Sequence, residues 1–532
     1  MAPLSLHRLS RTRPSLLLRD TGNRPSTASL VPRLRRWSCT GARRLSMSMS
    51  AVAAETAAAQ AEEVQALAGE ERFDWMDQWY PVAPVCNLDP RAPNGKTVLG
   101  LSIVAWFDGG EWRVVDDVCP HRLAPLSEGR VDDKGRLQCA YHGWCFDGRG
   151  ACQFIPQAPA LGPPVHKNSK ACVASYPCVV QNNILWFYPR SEPEYRDVLQ
   201  RKRPPYIPEL DIDDPSYVID YGIRDFYYGY ELLVENLMDP AHVPYAHKGL
   251  FAASLIQNVH LLSTTEFDQE RGGPIKMKID EANINGFHSN LEEDWGYFKF
   301  VAPCTLYGTP FRTELDVAQV KKKMQPEVRV VFFCVPVAPG RSRFIWASRL
   351  KVGSWLDKII PHWWYHIATN TILDSDTNLL HIEERNIAAV GLDNWHKACY
   401  VPTSSDNLVI AYRNWFRKYC DHQIGWATPT VNQLLPPAPT RVELLDRYWS
   451  HVMQCKSCSA ALNGMRALEV AMQVASVTVV GFLAAAKGTV VTSVVQRAAM
   501  VAAAVLCFAG SRRLANFIEK TFYFHDYVHA DK

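Results

Sequence analysis

Hydrophobic and polar positions alternate over short runs in the early part of the chain. Between residues 73 and 190 these runs are bounded by turn residues, as in VLGLSIVAWFD (98–108) and CVVQNNILWFYP (178–189). Short runs with a period of two predict β-strands, and the Asn-Asn pair in the second run predicts a hairpin turn. We therefore expect residues 73–190 to form a small all-β domain.

The middle of the chain has a mixed pattern. Residues 217–448 contain strand-like runs such as VRVVFFCVPVAP (328–339) beside longer segments with helical periodicity. This mixture predicts a second domain of the α+β class. A linker rich in proline and charge, residues 191–216, separates the two domains.

The end of the chain is strongly apolar. The runs VAMQVASVTVVGFLAAA (470–486) and AAMVAAAVLCFAG (498–510) approach the length that a membrane helix needs, and basic residues flank their outer ends. The pattern predicts a transmembrane helical hairpin over residues 468–515, followed by a tail over residues 516–532. Two buried, Ala-rich helices of a soluble domain are the alternative.

Length and composition indicate a folded protein with more than one domain. The chain has 532 residues, of which 47% are apolar and 21% are charged. A single hydrophobic core rarely extends beyond about 250–300 residues, so two folded domains are expected. The 15 cysteines lack the framework of a small secreted protein, and clustered cysteines are therefore considered first as metal ligands or redox centres.

Charge is distributed unevenly. Residues 1–50 contain ten Arg, no Lys and one acidic residue, Asp20, which is a charge of +9. The whole chain carries +3, so the remainder carries −6, and this charge does not favour nucleic-acid binding. The Arg-, Ser- and Thr-rich opening predicts a chloroplast transit peptide over residues 1–50, with a disordered basic arm as the alternative. Residues 51–72, rich in Ala and Glu, are interpreted as a linker.

Two segments of the β domain each offer one thiolate and one imidazole. Cys119 and His121 come from the first segment, and Cys139 and His142 come from the second. Structural zinc sites normally pair like ligands, as C-x2-C and H-x3-5-H, whereas each segment here supplies a mixed pair. Mixed pairs suit a two-iron, two-sulfide cluster in which one iron takes both thiolates and the other takes both imidazoles, the Rieske pattern. Zinc is the alternative for these four residues.

The segment ELLVENLMDPAHVPYAHKG (231–249) predicts a second metal centre. It contains His242 and His247, which would diverge by about 140° on a continuous helix. We expect Pro244 to end the helix between them, so that both imidazoles reach one metal. Two histidines and one carboxylate with open positions form the facial triad of non-haem Fe(II) oxygenases. A capped helix end with two hydrogen-bonded histidines is the alternative.

These motifs together resemble those of Rieske-type oxygenases. CPHRLAPLSEGR and YHGWCFDGRG are similar to the family's cluster-binding motif, and N-x2-D-P-x-H-x4-H, which begins at Asn236, is similar to its mononuclear-iron motif. FDWMDQWYPVAPVCNLDP, RYWSHVMQCKSC and FYFHDYVHADK narrow the resemblance to the plant chloroplast branch that contains pheophorbide a oxygenase. The resemblance implies a [2Fe–2S] Rieske domain, a helix-grip-like α+β domain with mononuclear Fe(II), and a membrane hairpin.

The resemblance also implies roles for acidic residues. Asp239 would connect a cluster-ligating histidine to an iron-ligating histidine of the neighbouring subunit in a homotrimer; capping a helix or orienting His242 is its alternative role. NTILDSDTNLLHIEER (370–385) is similar to the family's carboxylate segment, in which the second acid of a D-x-D pair binds iron. This similarity implies Asp376 as the third iron ligand. The competing acids of the segment are Asp374, Glu383 and Glu384.

The activity that the resemblance implies is that of a monooxygenase. It would use O2 and reduced ferredoxin to oxidise a chlorophyll-pathway tetrapyrrole, converting the ring methyl of protochlorophyllide a or chlorophyllide a to a formyl group. Its implied location is the chloroplast inner envelope membrane, with the catalytic domains on the stromal side. Two alternatives stay open: opening of the pheophorbide a macrocycle, and a non-enzymatic redox-sensing subunit of the protein-import translocon.

Two further segments carry candidate functional residues. The aromatic runs DFYYGY (225–230) and HWWYH (362–366) are candidate linings of a substrate pocket, although core packing explains most aromatic clusters. Cys455 and Cys458 form a C-x-x-C pair within residues 449–467, just before the apolar hairpin. An exposed pair of this kind is a candidate redox switch and thioredoxin target, and an inert pair is the alternative.

Overall fold

The computed structural model describes ten stretches of the chain. These are residues 71–211, 217–248, 250, 275, 277–291, 296–308, 330–351, 359–428, 435–486 and 493–529. The predicted transit peptide, residues 1–50, lies outside the described residues, as does nearly all of the predicted linker 51–72.

The first part of the described chain is built from short antiparallel strands. They are β1 (Tyr80–Pro84), β2 (Asn94–Val98), β3 (Leu101–Phe107), β4 (Trp112–Asp116), β5 (Arg130–Val131), β6 (Leu137–Gln138), β7 (Cys145–Phe146), β8 (Cys152–Phe154), β9 (Ser175–Tyr176), β10 (Cys178–Gln181) and β11 (Ile184–Phe187). Their sheets have the orders β1-β11-β10, β2-β3-β4-β9 and β5-β6-β7-β8. Asn182 and Asn183 join β10 to β11 with φ values of 50° and 56°, as a tight hairpin turn requires. The predicted all-β fold and this hairpin are confirmed.

The second part combines one large sheet with helices. Its strands are β12 (Tyr217–Phe226), β13 (Met277–Asn283), β14 (Gly286–Leu291), β15 (Gly296–Val301), β16 (Thr305–Gly308), β17 (Val330–Ala338) and β18 (Arg341–Lys351). They form an antiparallel sheet with the order β12-β18-β17-β16-β15-β14-β13.

The helices of the described chain number from α1 to α9. They are α1 (Val198–Arg201), α2 (Tyr230–Met238), α3 (Val243–Ala246), α4 (His362–Val390), α5 (Trp395–Ala398), α6 (Asn407–Cys420), α7 (Arg441–Leu444), α8 (Lys456–Ala485) and α9 (Val494–Ile518). Helix α2 packs against β17 and β18, α4 against β12, and α6 against β13 and β14. The predicted α+β class is confirmed.

Helix α4 buries a polar face. Its buried polar residues recur every three or four positions, so they lie along one side of the helix. They include His366, Asn370, Asp374, Thr377, His381 and Glu384. A helix that buries polar groups needs specific partners for each of them, because an unpaired buried polar group is costly.

An ion-pair network supplies the strongest of these partners. Asp374 accepts hydrogen bonds from Arg224 of β12 and, at 2.7 Å, from the Nε of Arg447. The side chains are at most 4% exposed. Removing one member of a buried ion-pair network typically lowers the free energy of unfolding by about 3–5 kcal/mol. The network therefore holds α4 against the sheet and against the segment that leads to the C-terminal helices.

The C-terminal helices α8 and α9 pack against each other and leave most of their apolar surface open. Both are long and apolar enough to cross a membrane, and only 11% of the most apolar part of each is buried. This exposure contradicts the alternative of two buried soluble helices. Helix α8 begins at Lys456, so the C-x-x-C segment and the first hairpin helix are one continuous element.

Gly222 allows a tryptophan to lie directly on strand β12. Gly222 pairs with Trp346 of β18, and a Cβ on the glycine would lie 1.8 Å from the Cζ2 of that indole. The Trp346 ring packs against two histidines, with centroid distances of 5.4 Å to His366 and 5.8 Å to His451. The absence of a side chain at Gly222 therefore lets the Trp346 indole pack against both histidines.

We predict that Gly222→Ala destabilises the protein, because the indole must move. The expected loss in the free energy of unfolding is roughly 1–3 kcal/mol, the usual cost of overpacking a core. Urea unfolding of the detergent-solubilised protein measures it. Gly110→Ala is the control, since the nearest atom would lie 3.6 Å from its Cβ. Equal stability of the two variants would contradict the close packing of Trp346.

Candidate iron centres

Two loops of similar geometry carry the first set of candidate ligands. The carbonyl of Cys119 accepts from the N–H of Leu123 at 2.9 Å, and the carbonyl of Cys139 accepts from the N–H of Gly143 at 3.0 Å. Leu123 and Gly143 have left-handed backbone, with φ values of 59° and 75°. Each loop therefore turns sharply after its cysteine, and the two loops present their side chains in equivalent ways.

The side chains of these loops pair by type. The thiols of Cys119 and Cys139 are buried and adjacent. The rings of His121 and His142 lie with their centroids 4.4 Å apart, and Trp144 stacks on His121 at 4.7 Å. A thiol pair beside an imidazole pair is the grouping that a Rieske cluster requires.

The donor atoms fit a cluster better than a single ion. His121 Nδ1 is buried and has no hydrogen-bond partner within the described residues, and coordination would satisfy it. Two groups of described side chains bring all their donor atoms within 4.8 Å of one another, as a single ion requires, and these four residues are not one of them. The pairing of thiol with thiol and imidazole with imidazole suits two irons, one held by both sulfurs and the other by both nitrogens.

The second set of candidate ligands surrounds a one-turn helix. Helix α2 ends at Met238, the backbone of Asp239 is extended, and His242 and His247 are the residues that flank α3. The prediction that Pro244 ends a helix between the histidines is wrong, because Pro244 lies in the first turn of α3, where a missing N–H is tolerated. The break in the helix lies before His242, where α2 ends at Met238. Since each histidine caps α3, both rings reach one point, with centroids 5.1 Å apart.

Hydrogen bonds fix the orientation of both imidazoles. His242 Nδ1 donates to the main-chain oxygen of Asp239 at 2.5 Å, and His247 Nδ1 donates to Ser375 Oγ at 2.7 Å. The Ser375 hydroxyl in turn donates to the carbonyl of Ile372. Each Nε2 therefore presents its lone pair to the space between the rings, the arrangement found in metal-ligating histidines.

Asp376 of α4 completes this group. Its Oδ2 lies 3.5 Å from His247 Nε2 and 3.9 Å from His242 Nε2. Burial raises the pKa of Asp376 to about 7, and burial lowers that of His247 to about 3. Burial also lowers the pKa of His242, but hydrogen bonding to Asp239 and the charge of Asp376 make the net direction upward. The donors are one carboxyl and two imidazoles held at contact distance, which fits a single divalent ion.

The competing acids of the α4 segment have other surroundings. Asp374 is bound by two arginines, and Glu384 Oε1 accepts from the N–H of Gly229 at 2.7 Å. Glu383 does not belong to the group of converging donor atoms around the histidines. Among the four acids, Asp376 is the one that the structure brings to the histidine pair.

Several side chains of the two predicted pocket-lining runs are buried. Phe226, Tyr228 and Tyr230 are buried in the main hydrophobic core, and Tyr230 donates to a main-chain carbonyl. In the second run, Trp363 packs against Phe522. A pocket-lining role for these aromatic runs stays a prediction.

The C-x-x-C pair is also placed differently from the expectation. Cys455 and Cys458 are 1% and 3% exposed, so the expected exposed pair is contradicted. Their neighbours are His366 and His451, which the sequence reasoning did not connect with them. The spacing H-x3-C-x2-C within RYWSHVMQCKSC was the available signal. A redox role for the pair remains a prediction.

Comparison with known sequences places these motifs in a family. The family described as Rieske [2Fe-2S] domain matches residues 78–177, and the family described as pheophorbide a oxygenase matches residues 300–393. The chain is 46% identical to protochlorophyllide-dependent translocon component 52 of Arabidopsis thaliana, over 87% of this chain and 86% of the relative. It is also 46% identical to flavonoid 8-hydroxylase 2 of Ocimum basilicum, over 87% of each. Identity to pheophorbide a oxygenase of Oryza sativa is 33%, over 87% and 86%.

A solved structure agrees with this placement at the level of the fold. Dicamba monooxygenase bound to 3,6-dichlorosalicylic acid superposes with a TM-score of 0.50 at 20% identity, over 65% of this chain and 98% of that chain. The two donor sets of this chain suit a Rieske cluster and a mononuclear iron. This chain therefore belongs to the Rieske-type oxygenases of the pheophorbide a oxygenase family, with a Rieske [2Fe–2S] cluster and a mononuclear iron as its cofactors.

Proposed function

We propose that this oxygenase uses O2 and electrons from reduced ferredoxin to oxidise the ring methyl of protochlorophyllide a or chlorophyllide a to a formyl group. The observation that carries the proposal is the convergence of His242, His247 and Asp376 in a chain that also has the paired thiols and imidazoles of a Rieske centre. Relatives named for protochlorophyllide, pheophorbide a and chlorophyllide a support a tetrapyrrole substrate.

Each candidate ligand has a role in this proposal. Cys119, Cys139, His121 and His142 hold the cluster, and His242, His247 and Asp376 hold the iron. When bound, the cluster supplies single electrons and the iron activates O2. The Nδ1 hydrogen bonds of both imidazoles direct each Nε2 toward the proposed iron position, and the chain keeps the carboxyl buried.

Asp239 is the proposed electron bridge between subunits of a homotrimer. Its Oδ2 lies 3.6 Å from His242 Nδ1, and its side chain remains 31% exposed, which leaves room for a histidine of a neighbouring subunit. Beside the cluster loops, Leu123 and Tyr141 are 74% and 62% exposed. Apolar surface at the tip of these loops supports docking against another subunit.

The proposed location is the chloroplast inner envelope, with the catalytic domains on the stromal side. Helices α8 and α9 would form the membrane hairpin, and the relatives carry chloroplastic names. A stromal catalytic part would meet soluble ferredoxin directly. A relative named as a translocon component supports a contact with the import machinery, and a thioredoxin contact rests on the C-x-x-C motif alone.

Hydroxylation of a flavonoid ring is the second candidate function. It is favoured by one observation, the 46% identity to a relative named flavonoid 8-hydroxylase 2. A flavonoid is much smaller than a tetrapyrrole, so the same iron centre would need a narrower pocket. Product analysis separates the two candidates directly.

Two substitutions in α4 test the iron ligand. Asp376→Asn removes the anionic donor, and we expect the mononuclear iron to be lost while the visible spectrum of the Rieske cluster is kept. Asp374→Asn removes the shared partner of two arginines, and we expect the free energy of unfolding to fall by roughly 3–5 kcal/mol while folded protein retains this iron. Iron per chain and urea unfolding measure both effects. If Asp374→Asn lost the iron and Asp376→Asn kept it, the proposal that Asp376 is the ligand would be wrong.

Turnover under ¹⁸O2 tests the reaction. The first step converts the ring methyl, O2, two electrons and two protons to a hydroxymethyl group and water, so we expect one labelled oxygen in the hydroxymethyl product. A second hydroxylation and loss of water give the formyl group. The detergent-solubilised full chain is supplied with ferredoxin, its reductase and, in parallel, protochlorophyllide a, chlorophyllide a, pheophorbide a and a flavone.

His242→Ala is the control for the iron centre and should give no labelled product. Label found only in the flavone would establish the second candidate and overturn the proposal. A ring-opened product from pheophorbide a would also overturn it. The non-enzymatic translocon subunit would be favoured by two results together. The wild-type protein would form no product from any of these compounds, and plastids that carry the His242→Ala variant would import proteins poorly.

A further inference from the structure

Four buried side chains outside both iron centres converge on one point. They are His366, His451, Cys455 and Cys458, and their donor atoms all lie within 4.8 Å of one another. His366 Nδ1 is 3.4 Å from each of the two sulfurs, and His451 Nε2 is 3.3 Å from Cys458 Sγ. Around a tetrahedral zinc ion the bond lengths place nitrogen and sulfur donors about 3.6 Å apart. The observed set is therefore already close to that geometry.

Outer hydrogen bonds orient both imidazoles toward the sulfurs. His451 Nδ1 donates to the carbonyl of Ile223 at 2.7 Å, which leaves the lone pair of Nε2 facing Cys458. His366 Nε2 donates to Asp220 Oδ1 at 3.2 Å, which leaves the lone pair of Nδ1 facing both thiols. A backbone carbonyl on one histidine and a carboxylate on the other are the usual outer partners of zinc-binding histidines.

The carboxylate behind His366 is itself held in place. Asp220 Oδ2 accepts from Trp346 Nε1 at 3.3 Å, and Asp220 Oδ1 accepts from His362 Nδ1 at 2.7 Å. The Trp346 ring lies against both His366 and His451, in the space that Gly222 provides. Asp220, His362 and Trp346 thus hold the two histidines in fixed orientations. Such support is expected around a metal site and is not needed for ordinary core packing.

We propose that His366, His451, Cys455 and Cys458 bind one zinc ion as a structural site separate from both iron centres. The C-x2-C spacing is typical of structural zinc, and two thiolates with two imidazoles are a preferred donor set for this metal. Two thiolates also neutralise a divalent cation, so the loaded site can remain buried. Four protein ligands fill a tetrahedral ion completely, which gives a structural role and no catalytic one.

The site joins two long helices of the fold. The cysteines lie at the start of α8, which continues into the membrane hairpin, and His366 lies near the start of α4. His366 precedes Asp376 by ten residues of the same helix, a rise of about 15 Å. Zinc would therefore fasten the base of the hairpin to the helix that carries the proposed iron ligand.

Elemental analysis and zinc-edge X-ray absorption of the full chain test the proposal. Protein purified anaerobically in reductant should contain about one zinc per chain, with sulfur donors at about 2.3 Å and nitrogen donors at about 2.0–2.1 Å. The zinc edge does not detect iron, so the result is independent of the proposed function and of turnover. Zinc with only oxygen and nitrogen donors, absence of zinc, or a Cys455–Cys458 disulfide in this preparation would each overturn the site.

Two cysteine variants locate the zinc. Cys458→Ser should abolish the zinc with mixed sulfur and nitrogen donors and leave the visible spectrum of the Rieske cluster unchanged. Cys139→Ser, the matched control, should lose the cluster and retain this zinc. The reverse pattern would show that zinc had entered the Rieske loops, and it would overturn the proposal. If Cys458→Ser does not fold, two measurements still test the site. They are the zinc-edge spectrum of the wild-type protein, which shows whether sulfur and nitrogen bind the zinc, and the zinc content of Cys139→Ser.

Asp220→Asn probes the outer partner without touching a ligand. The amide cannot accept from His366 as strongly as the carboxylate, so the zinc affinity should fall by about 10–100-fold. Competition with a chromophoric chelator measures this affinity. An unchanged affinity, with a folded variant, would contradict the role of Asp220 as the support of His366.

Discussion

The buried ion pairs between Asp374 and two arginines determine where helix α4 lies, and both candidate metal sites of the second domain depend on that position. Arg224 reaches Asp374 from β12, and Arg447 reaches it from the segment before the hairpin. Asp374 and Asp376 are about 160° apart around the helix, so one acid anchors α4 while the other faces the histidine pair. A charged anchor tolerates little displacement, because any shift leaves buried charges unpaired.

The two iron centres are assembled in physically different ways. The proposed Rieske ligands come from two loops about twenty residues apart, and each loop obtains its shape from its own hydrogen bonds and left-handed turn. The proposed mononuclear site joins α3 to α4, and Ser375, the partner of His247, lies 128 positions after it in the sequence. The first centre therefore depends on local sequence, whereas the second exists only when the sheet and α4 have packed.

This difference explains what the sequence could predict. The strands, the Asn-Asn hairpin and the grouping of cluster residues follow from local patterns, and the structure contains all of them. Spacing could not choose between Asp374 and Asp376, because the deciding arginine lies 150 residues away. The effect of Pro244 depends on where the short helix begins, which the local pattern does not determine. The burial of the C-x-x-C pair depends on His366, 89 residues before Cys455, as well as on the nearby His451.

The central claim is that one chain holds a Rieske cluster together with a separate, sulfide-free iron. The ratio of iron to acid-labile sulfide in anaerobically purified, fully loaded protein measures this most directly, with Mössbauer spectra to separate the iron sites. The account predicts about three irons for every two sulfides, one of them high-spin ferrous with nitrogen and oxygen donors. A ratio of one to one, with every iron in the cluster, would contradict it.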